Sequence, residues 1–234
     1  MMRDRLIAPS CLVVETRTTC KLRLAALFIH CCVFGGTFII PDNYQLYIIM
    51  NNNERTLQDN IDRRMLGERT VFLWGQVDDA SAKHVVERLM YLDMEAPGNE
   101  IKLIINSPGG YVTAGFSIYD TMMSVSSPVS TICSGFAASM ASILLSAGEK
   151  GRRFVLKHAR VMIHQPSGGS GGPHADIEIQ IKELLRAKEL GAQILADNCG
   201  QPIEKIMKDF NRDYHMDARE AVDYGIVDGI IERI

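Results

Sequence analysis

The chain has 234 residues, 47% of them hydrophobic and 23% charged, the balance of a globular protein with one substantial core and room for a terminal extension. A net charge of −3 gives no basis for binding nucleic acid or an anionic membrane. Four of the six cysteines (Cys11, Cys20, Cys31 and Cys32) precede residue 33, leaving Cys133 and Cys199 in the body. With no CxxC and no ligand-spaced His/Cys pair, neither a metal site nor a disulfide scaffold is indicated, and a reducing, cytoplasmic setting fits.

Residues 1–50 have a composition of their own. Arg3, Arg5, Arg17, Lys21 and Arg23 precede an apolar run from Leu24 to Ile40, interrupted by His30 and by Gly35-Gly36. The run falls short of the roughly 18 apolar residues a membrane span usually needs. A non-native upstream extension, with Met50 as the natural start, is therefore favoured over a targeting or anchoring segment. Asn51-Asn52-Asn53 marks a polar linker, and the folded domain is expected over 51–234.

From Arg64 onward, strand and helix patterns alternate. Thr70–Trp74 reads as a short buried strand, and Asp78–Met94 as a helix with Val85, Val86, Leu89, Met90 and Leu92 on its apolar side, capped by Asp78 or Asp79. Pro97-Gly98-Asn99 ends it. A strand at Ile101–Ile105, a helix at Thr113–Ser124, a strand at Val129–Cys133 and a helix at Ser139–Ala147 follow, then short strands at Arg153–Leu156 and Val161–Ile163. This order predicts an α/β fold with mostly parallel pairing. A glycine-rich segment, Ser167–Pro173, leads into the longest helix, Ala175–Asn198, which Gly200 and Pro202 end. Its stripe of Ile177, Ile181, Leu184, Leu185, Ile194 and Leu195 is expected to face another subunit rather than its own core. Asp217-x-x-Glu220 opens a short helix that Gly225 stops, and Ile226–Ile231 reads as the last strand.

The chemistry centres on Gly135-Phe136-Ala137-Ala138-Ser139-Met140-Ala141-Ser142. A serine at a strand-to-helix junction has the next residue's N–H pointing outward, able to hold a developing oxyanion. Acyl transfer by serine also needs a base, a group to orient that base, and further N–H donors. His164, at the end of an apolar strand and just before Gln165-Pro166, is the best-placed base. His30, His84, His158, His174 and His215 sit in the N-terminal extension, on a helix, in turns or beside charges. For the orienting acid, Asp213, Asp209 and Asp217 are equivalent on the residues alone. The turn Asn106-Ser107-Pro108-Gly109-Gly110 can present backbone N–H groups to an anionic oxygen, though a tight strand–helix turn needs no ligand. Gly168–Gly172 matches a GxSxG expression, but so glycine-rich a run cannot hold a strained elbow, and it reads as flexible loop.

Several stretches together carry a resemblance: Ile104–Gly110, Thr113–Met122, Ser130–Cys133, Ala137–Met140, Arg160–Pro166, Asp176–Ile179 and Glu220–Asp228. In this order they resemble the Clp protease proteolytic subunit family, ClpP, from about Arg64 to Ile230. The resemblance implies Ser139 as nucleophile, His164 as general base and Asp213 as orienting acid, with oxyanion donors at the N–H groups of Gly110 and Met140. It implies a crotonase-like α/β fold of repeated ββα units with a protruding handle helix, the handle region covering about 165–200. It further implies two stacked heptameric rings enclosing a chamber for unfolded protein substrates. A hexameric AAA+ unfoldase of the ClpX, ClpA or ClpC type would feed the chamber, with ATP used by that partner and no cofactor in this chain.

Two stretches depart from the family pattern. Leu57–Leu66 stands where members carry a Tyr-Asp-Ile-Tyr-Ser-Arg-Leu-Leu-like run, and no apolar pore-loop segment is recognisable unless Leu46–Met50 serves. Both lie where the unfoldase docks, which keeps a structural ring partner of a second, active paralogue as the alternative. An acyl-CoA hydratase or isomerase of the same broad fold would need catalytic carboxylates near the cleft and an adenine pocket, and no comparable set is present.

Overall fold

Runs of β-branched and apolar residues pair into one seven-stranded sheet: β1 (Thr70–Trp74), β2 (Ile101–Ser107), β3 (Val129–Ala138), β4 (Arg153–Leu156), β5 (Arg160–Ile163), β6 (Tyr214–Met216) and β7 (Gly229–Ile231). The main path runs β1-β2-β3-β4-β7, all parallel, while β5 pairs with β3 and, antiparallel, with β6. This computed structural model describes residues 56–169 and 171–234. The readings made for residues 1–50, for Leu46–Met50 and Asn51–Asn53, and for Ser170 lie outside the described residues. Ile61–Ile234 make up one unit, and the site lies within it.

Strand β2 is buried along nearly its whole length, as a parallel strand covered on both faces must be. The sheet-edge strand β1 instead alternates, burying Val71 and Leu73 while Phe72 and Trp74 face outward. Helix α1 (Leu57–Gly67) opens with reciprocal bonds between Thr56 and Asp59. It was not anticipated, although Thr56-x-x-Asp59 is a helix-start signal. Asp78, rather than Asp79, caps α2 (Asp79–Glu95): its carboxylate accepts from the Ser81 N–H at 2.8 Å while its own N–H donates to Ser81 Oγ. Ala82, Val85, Leu89 and Leu92 of α2 are buried at helical spacing. Helix α3 (Val112–Ser124) likewise buries Ala114, Gly115, Ile118 and Met122.

Helix α4 (Met140–Ser146) is buried on every side. Full burial of Leu144 and Leu145 stabilises the fold by about 1.5–3 kcal/mol each. Arg153 holds the back end of α4: its guanidinium donates to the carbonyls of Ser146 and of Asn198, near the end of α5 (His174–Cys199), and pairs with Asp228. Burial pushes the Asp228 carboxyl up, but hydrogen bonds from the Arg153 side chain and from the Arg153 and Gly151 N–H groups outweigh it and hold it below the usual carboxylate range.

Two expectations are corrected here. The apolar stripe of α5 is divided: Ile194 and Leu195 are buried in the chain's own core, whereas Ile181 and Leu185 are exposed and Ile177 and Leu184 half-buried. The last strand is shorter than expected. After α6 (Ile203–Asp209) and α7 (Ala218–Tyr224), Gly225 ends α7, Ile226 and Val227 are buried in the turn, and Asp228 is held by Arg153. Only then do Gly229–Ile231 reach β4.

Candidate active site

The position of Ser139 is set by an irregularity in β3. Along β2, Ile105 pairs with Cys133 but Ser107, two residues on, pairs with Ala137, four residues on. Three residues, Ser134–Phe136, stand against Asn106 alone, and this excess of two divides β3 into two halves. Thr131–Cys133 lies beside β4, and Phe136–Ala138 turns to lie beside β5. Asn106 secures the break, its side-chain oxygen accepting the Phe136 N–H at 3.1 Å. The second half of β3 delivers Ser139 beside the end of β5. The Ser139 N–H donates to the Met162 carbonyl at 2.9 Å.

Ser139 has φ 55° and ψ −125°, a backbone conformation that L-residues rarely adopt. It costs on the order of 1–3 kcal/mol and persists only where surrounding structure holds it. Here a buried strand lies on one side and a fully buried helix on the other. The chain bends sharply between them, and Ser139 stands at the bend, only half-buried. The expected helix start at Ser139 therefore moves to Met140, because Ser139 itself is not helical.

Strand β6, which local pattern does not show, brings Asp213 beside His164. Antiparallel pairing sets Val161 against Met216, Met162 against His215 and Ile163 against Tyr214. Continued by one residue, that register sets His164 opposite Asp213, and His164 Nδ1 lies 2.9 Å from Asp213 Oδ1. Gln165 fixes the approach to the strand by donating from its side chain to the Asn211 carbonyl at 2.9 Å. The rival acids are engaged elsewhere. Asp209 accepts from Lys205 and from the Tyr224 hydroxyl, and Asp217 caps α7. A carboxylate at Nδ1 holds that nitrogen as the donor and leaves the Nε2 lone pair free to take a proton.

Gly110 and Met140 line one cleft together with Ser139 and His164. The Asn106–Gly110 turn is bound to Val77, which donates to the Gly109 carbonyl and accepts from the Tyr111 N–H. That bridge uses the groups on either side of Gly110 and leaves the Gly110 N–H out of the ladder. The Met140 N–H opens α4 and so has no partner within the helix. Gly109 lies flat against the bend: a Cβ on it would stand 2.6 Å from the Ala138 carbonyl and 2.7 Å from Ser139 Cβ. Val112, Phe116, Ile143, Gly191 and Phe210 give the cleft an apolar wall.

Among the described residues, Ser139 and His164 share the cleft without a hydrogen bond between them. His84, His158, His174 and His215 do not line it. Burial pushes the thiols of Cys133 and Cys199 up to about 12, which removes both as nucleophiles near neutral pH. No described helix is long and apolar enough to cross a membrane.

A hydroxyl on a strained bend and a carboxylate-held imidazole share one largely apolar cleft with the backbone of Gly110 and Met140, a set of groups that acyl-transfer chemistry can use. A family model described as Clp protease matches residues 52–234. The chain belongs to the Clp protease family and is a ClpP-type peptidase, a hydrolase of peptide bonds, with the α/β, mixed-sheet architecture of the ClpP/crotonase-like fold.

Proposed function

We propose that this chain is a serine endopeptidase in which Ser139, His164 and Asp213 form the catalytic triad and the N–H groups of Gly110 and Met140 form the oxyanion hole. His164 Nε2 takes the Ser139 Oγ proton as Oγ attacks the peptide carbonyl. Asp213 Oδ1 holds Nδ1–H and stabilises the imidazolium. The two N–H groups bind the oxygen that becomes negative, His164 passes its proton to the leaving amine, and an acyl-enzyme remains. Water, deprotonated by the same imidazole, attacks the ester and releases the acid. No cofactor is required of this chain.

The observation that carries this reading is the His164 Nδ1–Asp213 Oδ1 bond, made by a histidine that lines the same cleft as Ser139 in its strained conformation. The proposal extends to assembly. Two stacked heptameric rings would enclose the sites in a cytoplasmic chamber, and an AAA+ unfoldase hexamer would supply unfolded polypeptide using its own ATP. Ile179, Ile181, Leu185 and Leu190, exposed on α5, support a ring-to-ring contact there. Ser139→Ala is expected to abolish cleavage of a fluorogenic short peptide and labelling by a fluorophosphonate, with the assembled particle unchanged by size-exclusion chromatography and negative-stain imaging. Retained cleavage or labelling refutes the assignment.

A further inference from the structure

The Ser139 carbonyl and the Met140 N–H are two ends of one peptide group, and a trans peptide is planar. Whatever holds the oxygen therefore aims the N–H. Three donors converge on the Ser139 oxygen: the Ser142 N–H at 3.0 Å, the Ile143 N–H at 3.4 Å and, closest, the Ser142 hydroxyl at 2.6 Å. A carbonyl has two lone pairs. The two amides approach from the helix direction, and the hydroxyl is an additional donor that ordinary helix geometry does not supply.

We infer that Ser142 is a positioning residue for the oxyanion hole, acting through the Ser139–Met140 peptide; this rests on the serine peptidase reading above. Ser142 is fully buried, so water cannot replace its hydroxyl. Its hydrogen bond opposes rotation of a peptide whose first residue is held in a strained conformation. Donation to the carbonyl also polarises the amide and makes the N–H at its other end a stronger donor. Serine hydroxyls in helices often bond backward to a carbonyl without any such consequence. Helix α4 contains that ordinary case one turn later, where Ser146 Oγ donates to the Ile143 carbonyl at 2.7 Å. The acceptor there is the carbonyl of the Ile143–Leu144 peptide in the body of the buried helix, whose N–H is not one of the two proposed oxyanion donors. Ser146 is thus an internal control with matching burial and the same backward bond, its Oγ in addition accepting from Asn198 Nδ2 at 3.1 Å.

The experiment compares Ser142→Ala with Ser146→Ala in the assembled full-length protein, using a fluorogenic short peptide and a peptide boronic acid that forms a tetrahedral adduct with Ser139. Removing an oxyanion donor outright costs roughly 10²–10³ in turnover, so loosening one is expected to cost about 10-fold. In Ser142→Ala, kcat should fall by that factor with KM unchanged. Boronic acid affinity should fall in parallel, since it reports binding of the tetrahedral form. Ser146→Ala should lower thermal stability and leave both readouts at the wild-type level. Wild-type kcat and boronate affinity in Ser142→Ala would overturn the inference, as would an equal loss in Ser146→Ala. An inert wild type that neither cleaves peptide nor binds the boronate overturns the peptidase reading and this inference together. An active wild type with a normal Ser142→Ala overturns this inference alone.

Discussion

Replacing Gly109 with alanine tests whether the Asn106–Gly110 turn and the Ser139 bend work as one packed unit. Gly109 has φ 86°, and the Cβ of an alanine there would meet the Ala138 carbonyl at 2.6 Å, Ser139 Cβ at 2.7 Å and the Met140 nitrogen at 3.0 Å. Two of these are backbone atoms of the bend itself. Ordinary contact begins at 3.4 Å, so 3.4 less 2.6, or 0.8 Å, must open between the turn and the bend. The left-handed backbone costs an alanine about 1–2 kcal/mol and overpacking about 1–3 kcal/mol more. Misplacing catalytic groups by roughly 1 Å costs on the order of 10² in rate. Gly98 is the matched control: its φ is 79° and an added Cβ meets nothing within 4 Å. Denaturant unfolding and peptide hydrolysis would be measured for both. Gly98→Ala should lose only the backbone component, about 1–2 kcal/mol, with unchanged kcat/KM. Gly109→Ala should lose more stability and about 10²-fold in kcat/KM. Equal destabilisation with kcat/KM within about 3-fold of wild type would show that the bend and the turn are not coupled by this contact.

Further outcomes follow from the same geometry. Asp213→Asn keeps the shape but removes the carboxylate that holds His164 in its tautomer; kcat should fall by about 10²–10⁴ with little loss of folding stability, because Asp213 is exposed, and a fall below 10-fold counts against its orienting role. Ser139→Gly should be more stable than Ser139→Ala by about 1 kcal/mol in paired thermal melts, since glycine relieves the positive φ while both variants lack the hydroxyl; the reverse order would show the bend to be unstrained. Asp228→Asn should lose about 1–3 kcal/mol at pH 7, less than the roughly 3–5 of a fully buried pair because Asp228 is partly solvated. The Asp228 carboxyl is held below its usual value, so its contribution is complete above about pH 4 and fades as pH falls through the lowered folded value. Denaturant melts of both proteins from pH 7 to pH 3 should accordingly converge at the acid end, and a gap that widens there would reverse the assigned sign.

Much of this molecule is written in local pattern. The strands at Thr70–Trp74 and Arg153–Leu156, the Asp78 and Asp217 caps, and the glycine stops at Gly200 and Gly225 each depend on residues within a few positions of one another. Ser139, His164 and the Gly109-Gly110 turn were legible as candidates for the same reason, each lying where a strand pattern ends. The choice among Asp209, Asp213 and Asp217 was not legible, because it depends on the antiparallel register of β5 with β6, a three-residue strand whose Tyr214-His215-Met216 carries little signal of its own. Nor did local pattern show that β3 breaks at Ser134–Phe136 and changes neighbours, since pairing across a sheet is a property of residues far apart in the chain. The sequence alone determined which side chains were available for acyl transfer and the order of the elements bearing them. The tertiary structure decided their meeting, through a strand break that redirects Ser139 and a register that faces Asp213 to His164. Both are non-local pairings whose energy lies in the assembled sheet and core, and no short window of residues contains it.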